Sequence, residues 1–183
     1  MSEMLQDLRD LLAGPGGQQY LGEQVSVAAH LLQAAGLARA ASAADHLVVA
    51  ALLHDVGHIL PPVPGETPGP DADDRHDARG ADWLARWFGP EVTEPVRLHV
   101  AAKRYLCTVD PHYVAVLSEA SAQSLRLQGG TMSPAEIAGF ESAAHHGAAV
   151  AVRRWDDEAK DPDRPAPDFS EFTAALRAAA SGA

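Results

Sequence analysis

Apolar residues recur at helical spacing along almost the whole chain, while the strict alternation of a half-buried strand is scarce. That pattern predicts an all-α protein. Met4, Leu5, Leu8, Leu11 and Leu12 suit a short first helix, stopped by Gly14-Pro15-Gly16-Gly17. Further helices are expected from about Gln24 to Ala38 and from Ser42 to Gly57, then over 76–88, 91–106, 118–128, 134–141, 142–160 and 168–179. Residues 61–75, rich in proline and acid, read as a loop, as do Asp161 to Pro167 and Gly129-Gly130. Ser133-Pro134-Ala135-Glu136 reads as a helix start, with Ser133 as N-cap and Glu136 reaching back to it. Alanine is abundant, which favours helix and lets helices approach closely. A chain of 183 residues is long enough to bury a sizeable core, and one domain is expected.

The formal net charge of −11 argues against a nucleic-acid partner, which needs a basic face. An anionic small molecule stays open, because a few cations can dominate one pocket. A single cysteine, Cys107, excludes an internal disulfide framework and reads as a small buried residue. The start MSEMLQDLRDLLAG has no basic stretch followed by an apolar one, so no signal peptide is expected. No apolar run approaches the length of a membrane span, and a cytoplasmic location is expected.

The densest chemistry is Leu52-Leu53-His54-Asp55-Val56-Gly57-His58, at the end of an apolar helix. Adjacent residues on a helix point about 100° apart. Both His54 and Asp55 can still reach one site if the helix runs past it, and a carboxylate has two oxygens with which to bridge two ions. An isolated His-Asp pair would be read as a hydrogen-bonded core pair. This one has company. His30 shares an apolar face with Val27, Leu31 and Ala34; His76 opens the helix after the acidic loop; His99 sits among Val96, Leu98, Val100 and Ala102. Several histidines on successive helices are more simply explained by convergence on metal than as separate core residues. The last ligand is expected to be a carboxylate on the helix holding Arg153 to Lys160, where Arg153, Asp156 and Lys160 share a face. Arg154, Asp157 and Glu158 read as a surface salt-bridge ladder. A set of histidine and aspartate without thiolate suits iron, manganese or zinc. The count gives His30, His54, Asp55 and an aspartate near 156 to one ion, and Asp55, His76 and His99 to the other. Each ion keeps open positions.

The order His30, His54-Asp55, His76, His99, Asp156 resembles the HD-domain superfamily of metal-dependent phosphohydrolases. Within it the pattern looks closest to the phosphonate oxygenases related to myo-inositol oxygenase. Three further features carry that likeness: Tyr20 and Glu23 ahead of His30, the stretch His99 to Leu106 with Lys103 four residues after the ligand, and the Arg153-x-x-Asp156-x-x-x-Lys160 element. The resemblance implies a single HD domain over 1–183, a helical bundle with a dinuclear metal site in its core over about 20–160 and a C-terminal helical extension. It also selects Asp156 over Asp157 as ligand.

By that resemblance the cofactor is an Fe(II)/Fe(III) pair, dioxygen is the cosubstrate, and the reaction cleaves a carbon–phosphorus bond. The expected substrate is a 1-hydroxy-2-aminoethyl-type phosphonate, bound through its 1-hydroxyl and a phosphonate oxygen and converted to phosphate and glycine. Lys103 and Arg153 would cradle the phosphonate, with Ser121 and Ser124 as added donors or, alternatively, as ordinary helix caps. Glu23 would pair with the ammonium, and Tyr20 would be a lid over an open iron position. His58 would be an acid–base or orienting group. His46, His112, His145 and His146 have no matching role and read as structural or exposed. A metal-dependent phosphohydrolase is the alternative, since it needs the same ligands and cations. A degenerate HD domain used for signalling is the third reading, against which the intact ligand set weighs.

Overall fold

The computed structural model describes residues 3–61 and 75–180, so most of the loop expected over 61–75 lies outside the described residues. The fold is helical throughout: among the described residues the only β feature is an isolated bridge between Phe88 and Ala180.

Helix α1 (Glu3–Ala13) lays Met4, Leu5, Leu8 and Leu12 into the core. Helix α2 (Val27–Ala40) starts at Ser26, whose hydroxyl accepts from the amide of Ala29. Helix α3 (Asp45–Leu53) is apolar over Leu47–Leu53, and everything from Val48 to Leu53 is buried. It is the central element, packed by α2, α6 (Pro90–Val109), α9 (His146–Glu158) and α10 (Thr173–Ala179). A helix apolar on all sides needs such a surround. Around this frame lie α4 (Val56–Ile59), α5 (His76–Leu84), α7 (Glu119–Leu127) and α8 (Pro134–Ser142). The expected start of α8 is present as a capping box between Ser133 and Glu136. The helix expected over 168–179 opens as a 3-10 turn, Phe169–Phe172, capped by Asp168, before α10.

One expected helix is broken. The run from Ser42 to Gly57 does not continue past the His-Asp pair: α3 ends at Leu53, Asp55 sits at φ −102° and ψ 13°, and α4 restarts at Val56. The physical reason lies in the side chains. On an unbroken helix His54 and Asp55 would diverge by about 100°, whereas the turn brings both to one side.

The same turn makes α4 cross α5 at very short range. A Cβ on Gly57 would lie 2.0 Å from the backbone oxygen of His76, and Gly80 faces Gly57 across the same crossing. Only a residue without a side chain allows this approach.

Candidate metal centre

Five helical segments converge on one point. α2 supplies His30, the end of α3 supplies His54 and Asp55, α5 begins with His76, α6 carries His99, and α9 carries Asp156. The four histidines and Asp156 are buried. His30 Nε2 lies 3.1 Å from His54 Nε2, and His76 Nε2 lies 3.1 Å from His99 Nε2.

The pair of His30 and His54 is not an ordinary hydrogen bond between neutral rings. His30 Nδ1 donates to the Ala159 carbonyl at 3.0 Å, His54 Nδ1 to Ala51 at 2.9 Å, and His99 Nδ1 to Val96 at 2.7 Å. With Nδ1 protonated, a neutral ring presents only a lone pair at Nε2. Lone pairs that face each other repel unless a proton or a metal ion lies between them. Two ligands about 2.1 Å from one ion and at right angles to each other stand roughly 3 Å apart. The donor set, its tautomers and its spacing therefore fit a metal. Two groups of donor atoms meet that condition within 4.8 Å: His30, His54 and Asp55, and Asp55, His76 and His99.

Asp55 divides its oxygens between the pairs. Oδ2 lies 3.7 Å from His30 Nε2 and 3.5 Å from His54 Nε2; Oδ1 lies 3.4 Å from His76 Nε2 and 3.2 Å from His99 Nε2. Asp156 joins the first pair, with Oδ1 3.4 Å from His30 and Oδ2 3.8 Å from His54. Burial alone would raise the Asp55 carboxyl, but His54, His76 and His99 hold it well below the usual carboxylate range. Asp156 is likewise opposed by burial and held far down by Arg153 and Lys160. Both are carboxylates, the form a metal requires.

Beside this centre lies a cavity of about 370 Å³, within the range of small-ligand sites. Lys103, Arg153 and Lys160 line it, as do Ser121 and Ser124. The two serines are not helix caps: the N-cap of α7 is Ser118, which takes the Ser121 amide. Their hydroxyls serve the cations instead. Lys103 Nζ donates to Ser124 Oγ and Lys160 Nζ to Ser121 Oγ, at 2.8 and 2.7 Å. Arg153 Nη1 donates to Asp156 Oδ2 at 2.5 Å, and its Nη2 reaches Ser121 at 3.4 Å. Its remaining partners overturn the reading of Asp157 as a rung in a surface ladder. Asp157 accepts from both Nε and Nη2 of Arg153, and the buried Tyr113 hydroxyl bonds to both residues. Of the five guanidinium hydrogens, one on Nη1 keeps no partner among the described residues and is available to a ligand.

At the cavity mouth, Tyr20 and Glu23 close a tight turn in which the Glu23 amide donates to the Tyr20 carbonyl. Leu21 and Gly22 between them both have positive φ, 45° and 84°. Tyr20 is 58% exposed and lines the cavity. Glu23 accepts from Ser118 Oγ at 2.7 Å and pairs with Lys160 at 3.3 Å. His58 also lines the cavity, stacked on His76 with ring centroids 3.8 Å apart. His46, His112, His145 and His146 do not line it. Asp157, Tyr113 and Ser118 are the residues that sequence reasoning missed. For Asp157 the signal was present, since it stands four residues after Arg153 on the same helix.

Burial, reinforced by Arg153, lowers the Lys103 ammonium from its ordinary 10.5 to about 8. The charged form is thus the one that fails first as pH rises. Specificity (kcat/KM) for an anionic substrate should fall about tenfold per pH unit above pH 8. In Lys103→Arg that limb should vanish, since a guanidinium keeps its charge. An unchanged limb in the variant would assign the titration to another group.

A family model for the HD domain matches residues 27–126, and the chain belongs to that family. It is 48% identical over 157 residues to a protein of Gimesia maris named hydroxymethylphosphonate dioxygenase, covering 85% of this chain and 78% of that protein. It is 43% identical over 158 residues to the glycine-betaine-forming [1-hydroxy-2-(trimethylamino)ethyl]phosphonate dioxygenase of Leisingera caerulea, covering 86% and 80%. Within the HD-domain family the chain therefore stands with the phosphonate dioxygenases. Among the described residues no helix is long and apolar enough to cross a membrane.

Proposed function

We propose that this oxygenase cleaves the carbon–phosphorus bond of a small 1-hydroxyphosphonate, releasing phosphate, with a pair of iron ions as its metal. The observation that carries the reading is Asp55, which offers one oxygen to each histidine pair beside a wall of cations. His30, His54, Asp55 and Asp156 would hold one ion, and Asp55, His76 and His99 would hold the other. When bound, the ions supply the redox chemistry with dioxygen and lower the pKa of a coordinated 1-hydroxyl. The protein's part is placement. The Lys103 ammonium and the open Nη1 hydrogen of Arg153 take the phosphonate oxygens. The Nδ1 hydrogen bonds of His30, His54 and His99 fix ring orientation and tautomer. His58 keeps the His76 ring in plane by stacking. Tyr20 closes over the mouth when substrate enters, excluding water.

The substituent at C1 follows from Glu23. For a 1-hydroxy-2-aminoethyl phosphonate, the substrate ammonium exchanges with Lys160 for the Glu23 carboxylate, and glycine is the second product. The Glu23–Lys160 pair favours a second reading, hydroxymethylphosphonate, in which no ammonium arrives and that pair stays closed. The names of both relatives, each a phosphonate dioxygenase, weigh against the phosphohydrolase.

The test is phosphate release from 2-amino-1-hydroxyethylphosphonate, hydroxymethylphosphonate and a phosphate monoester, with and without dioxygen. The proposal expects dioxygen-dependent release from one or both phosphonates and none from the ester. Release that persists without dioxygen establishes the hydrolase. Glu23→Ala should weaken use of the amino substrate about tenfold or more while sparing hydroxymethylphosphonate and metal content. Equal loss on both substrates would remove the ammonium role.

A further inference from the structure

Against the Nε edge of Arg153, and outside the lining of the cavity, stands a small polar cluster that the reaction does not use. Asp157 grips the guanidinium edge-on, through Nε at 3.2 Å and through Nη2, and Tyr113 donates to Asp157 while accepting from Arg153 Nε at 2.9 Å. The Arg153 side chain is 4% exposed and that of Asp157 is 13% exposed. Tyr113 is carried by the 3-10 turn Tyr113–Val116, and it packs with Leu106 and Cys107 of α6. The clamp therefore ties α9 to an independent element.

Without the clamp, Arg153 has a better partner close by. Its Nη1 already touches Asp156 Oδ2, and a guanidinium prefers two parallel bonds to one carboxylate. Asp156 needs its oxygens facing His30 and His54. An Arg153 free to swing would draw Asp156 away from them. We propose that Asp157 and Tyr113 are positioning residues that hold Arg153 to a single bond with Asp156, so that Asp156 stays available to the metal. The inference rests on the reading of Asp156 as a ligand.

Anaerobic titration of the metal-free protein with Fe²⁺, well below its melting temperature, tests it. Partners of metal ligands typically contribute 10–100-fold in metal affinity. Asp157→Asn should weaken the tighter-held fraction of iron by about 10–100-fold. Tyr113→Phe should act in the same direction and less strongly, and Asp157→Glu, which keeps the charge, should recover part of the loss. A purely structural role would lower the melting temperature and leave iron affinity unchanged, which would overturn the proposal. If Asp157→Asn does not fold, Tyr113→Phe decides: wild-type affinity in that variant overturns the proposal. Failure of the wild-type chain to bind Fe²⁺ would refute the ligand reading itself, a different outcome from tight binding in every variant.

Discussion

Replacing Asp55 with alanine should empty the centre, because this one side chain faces both pairs of histidines. Loss of a residue that merely orients a ligand weakens metal binding by about 10–100-fold, so loss of a ligand shared by both ions should cost at least roughly 100-fold at each. Iron per chain should fall toward zero after desalting, and turnover with it. Asp55→Asn keeps the shape but offers one oxygen and an amide, and should retain at most the ion on the oxygen side. His58→Ala is the graded comparison. It stacks on His76 and belongs to neither donor group, so it should weaken the ion between His76 and His99 by about 10–100-fold and leave the other in place. Wild-type iron content in Asp55→Ala would remove the bridging role.

Gly57→Ala should also have a large effect, although glycine carries no chemistry. Its new Cβ would lie 2.0 Å from the carbonyl oxygen and 2.9 Å from Cα of His76. Those are backbone atoms, so no side-chain rotation relieves the contact and α5 must shift. Overpacking of this kind costs about 1–3 kcal/mol. For a chain of this size that is a fall in Tm of roughly 2–12 °C. His76 moves with α5, so the ion between His76 and His99 should be lost before the one between His30 and His54. Gly139→Ala is the control, since nothing lies within 4 Å of its Cβ position and it sits inside α8. It should be neutral or stabilise by up to about 1 kcal/mol. Unchanged Tm and metal content in Gly57→Ala would contradict the crossing geometry.

Much of this site was legible in the chain because it is built from whole helical turns. His99 and Lys103 stand four apart on α6, Arg153 and Asp156 stand three apart on α9, and Lys160 follows two residues past the end of that helix. Such spacings survive folding unchanged, and the structure places these side chains around one cavity. Helix centres were equally readable, since α2, α6 and α9 follow the apolar periodicity. The break at His54-Asp55 was not. Nothing in Leu52-Leu53-His54-Asp55-Val56 stops a helix locally, and the turn is set by long-range convergence of His30, His76 and His99. Asp157 was misread for a related reason. A charged residue beside four others on a helix looks solvated, and only the position of Tyr113, forty-four residues away, shows that its carboxylate turns inward. Ser118 was missed because its link to Glu23 joins residues ninety-five apart. The close passage of Gly57 over His76 depends on two helices separated by a loop and has no local signature.

The most direct test of the central claim is an iron count on protein purified without oxygen, joined to a low-temperature EPR spectrum of the same sample after partial oxidation. The account predicts about two irons per chain, one for each donor group, and a coupled Fe(II)/Fe(III) signal that changes when 2-amino-1-hydroxyethylphosphonate or hydroxymethylphosphonate is added. One metal per chain, or two ions of zinc or manganese with no such signal, would contradict it.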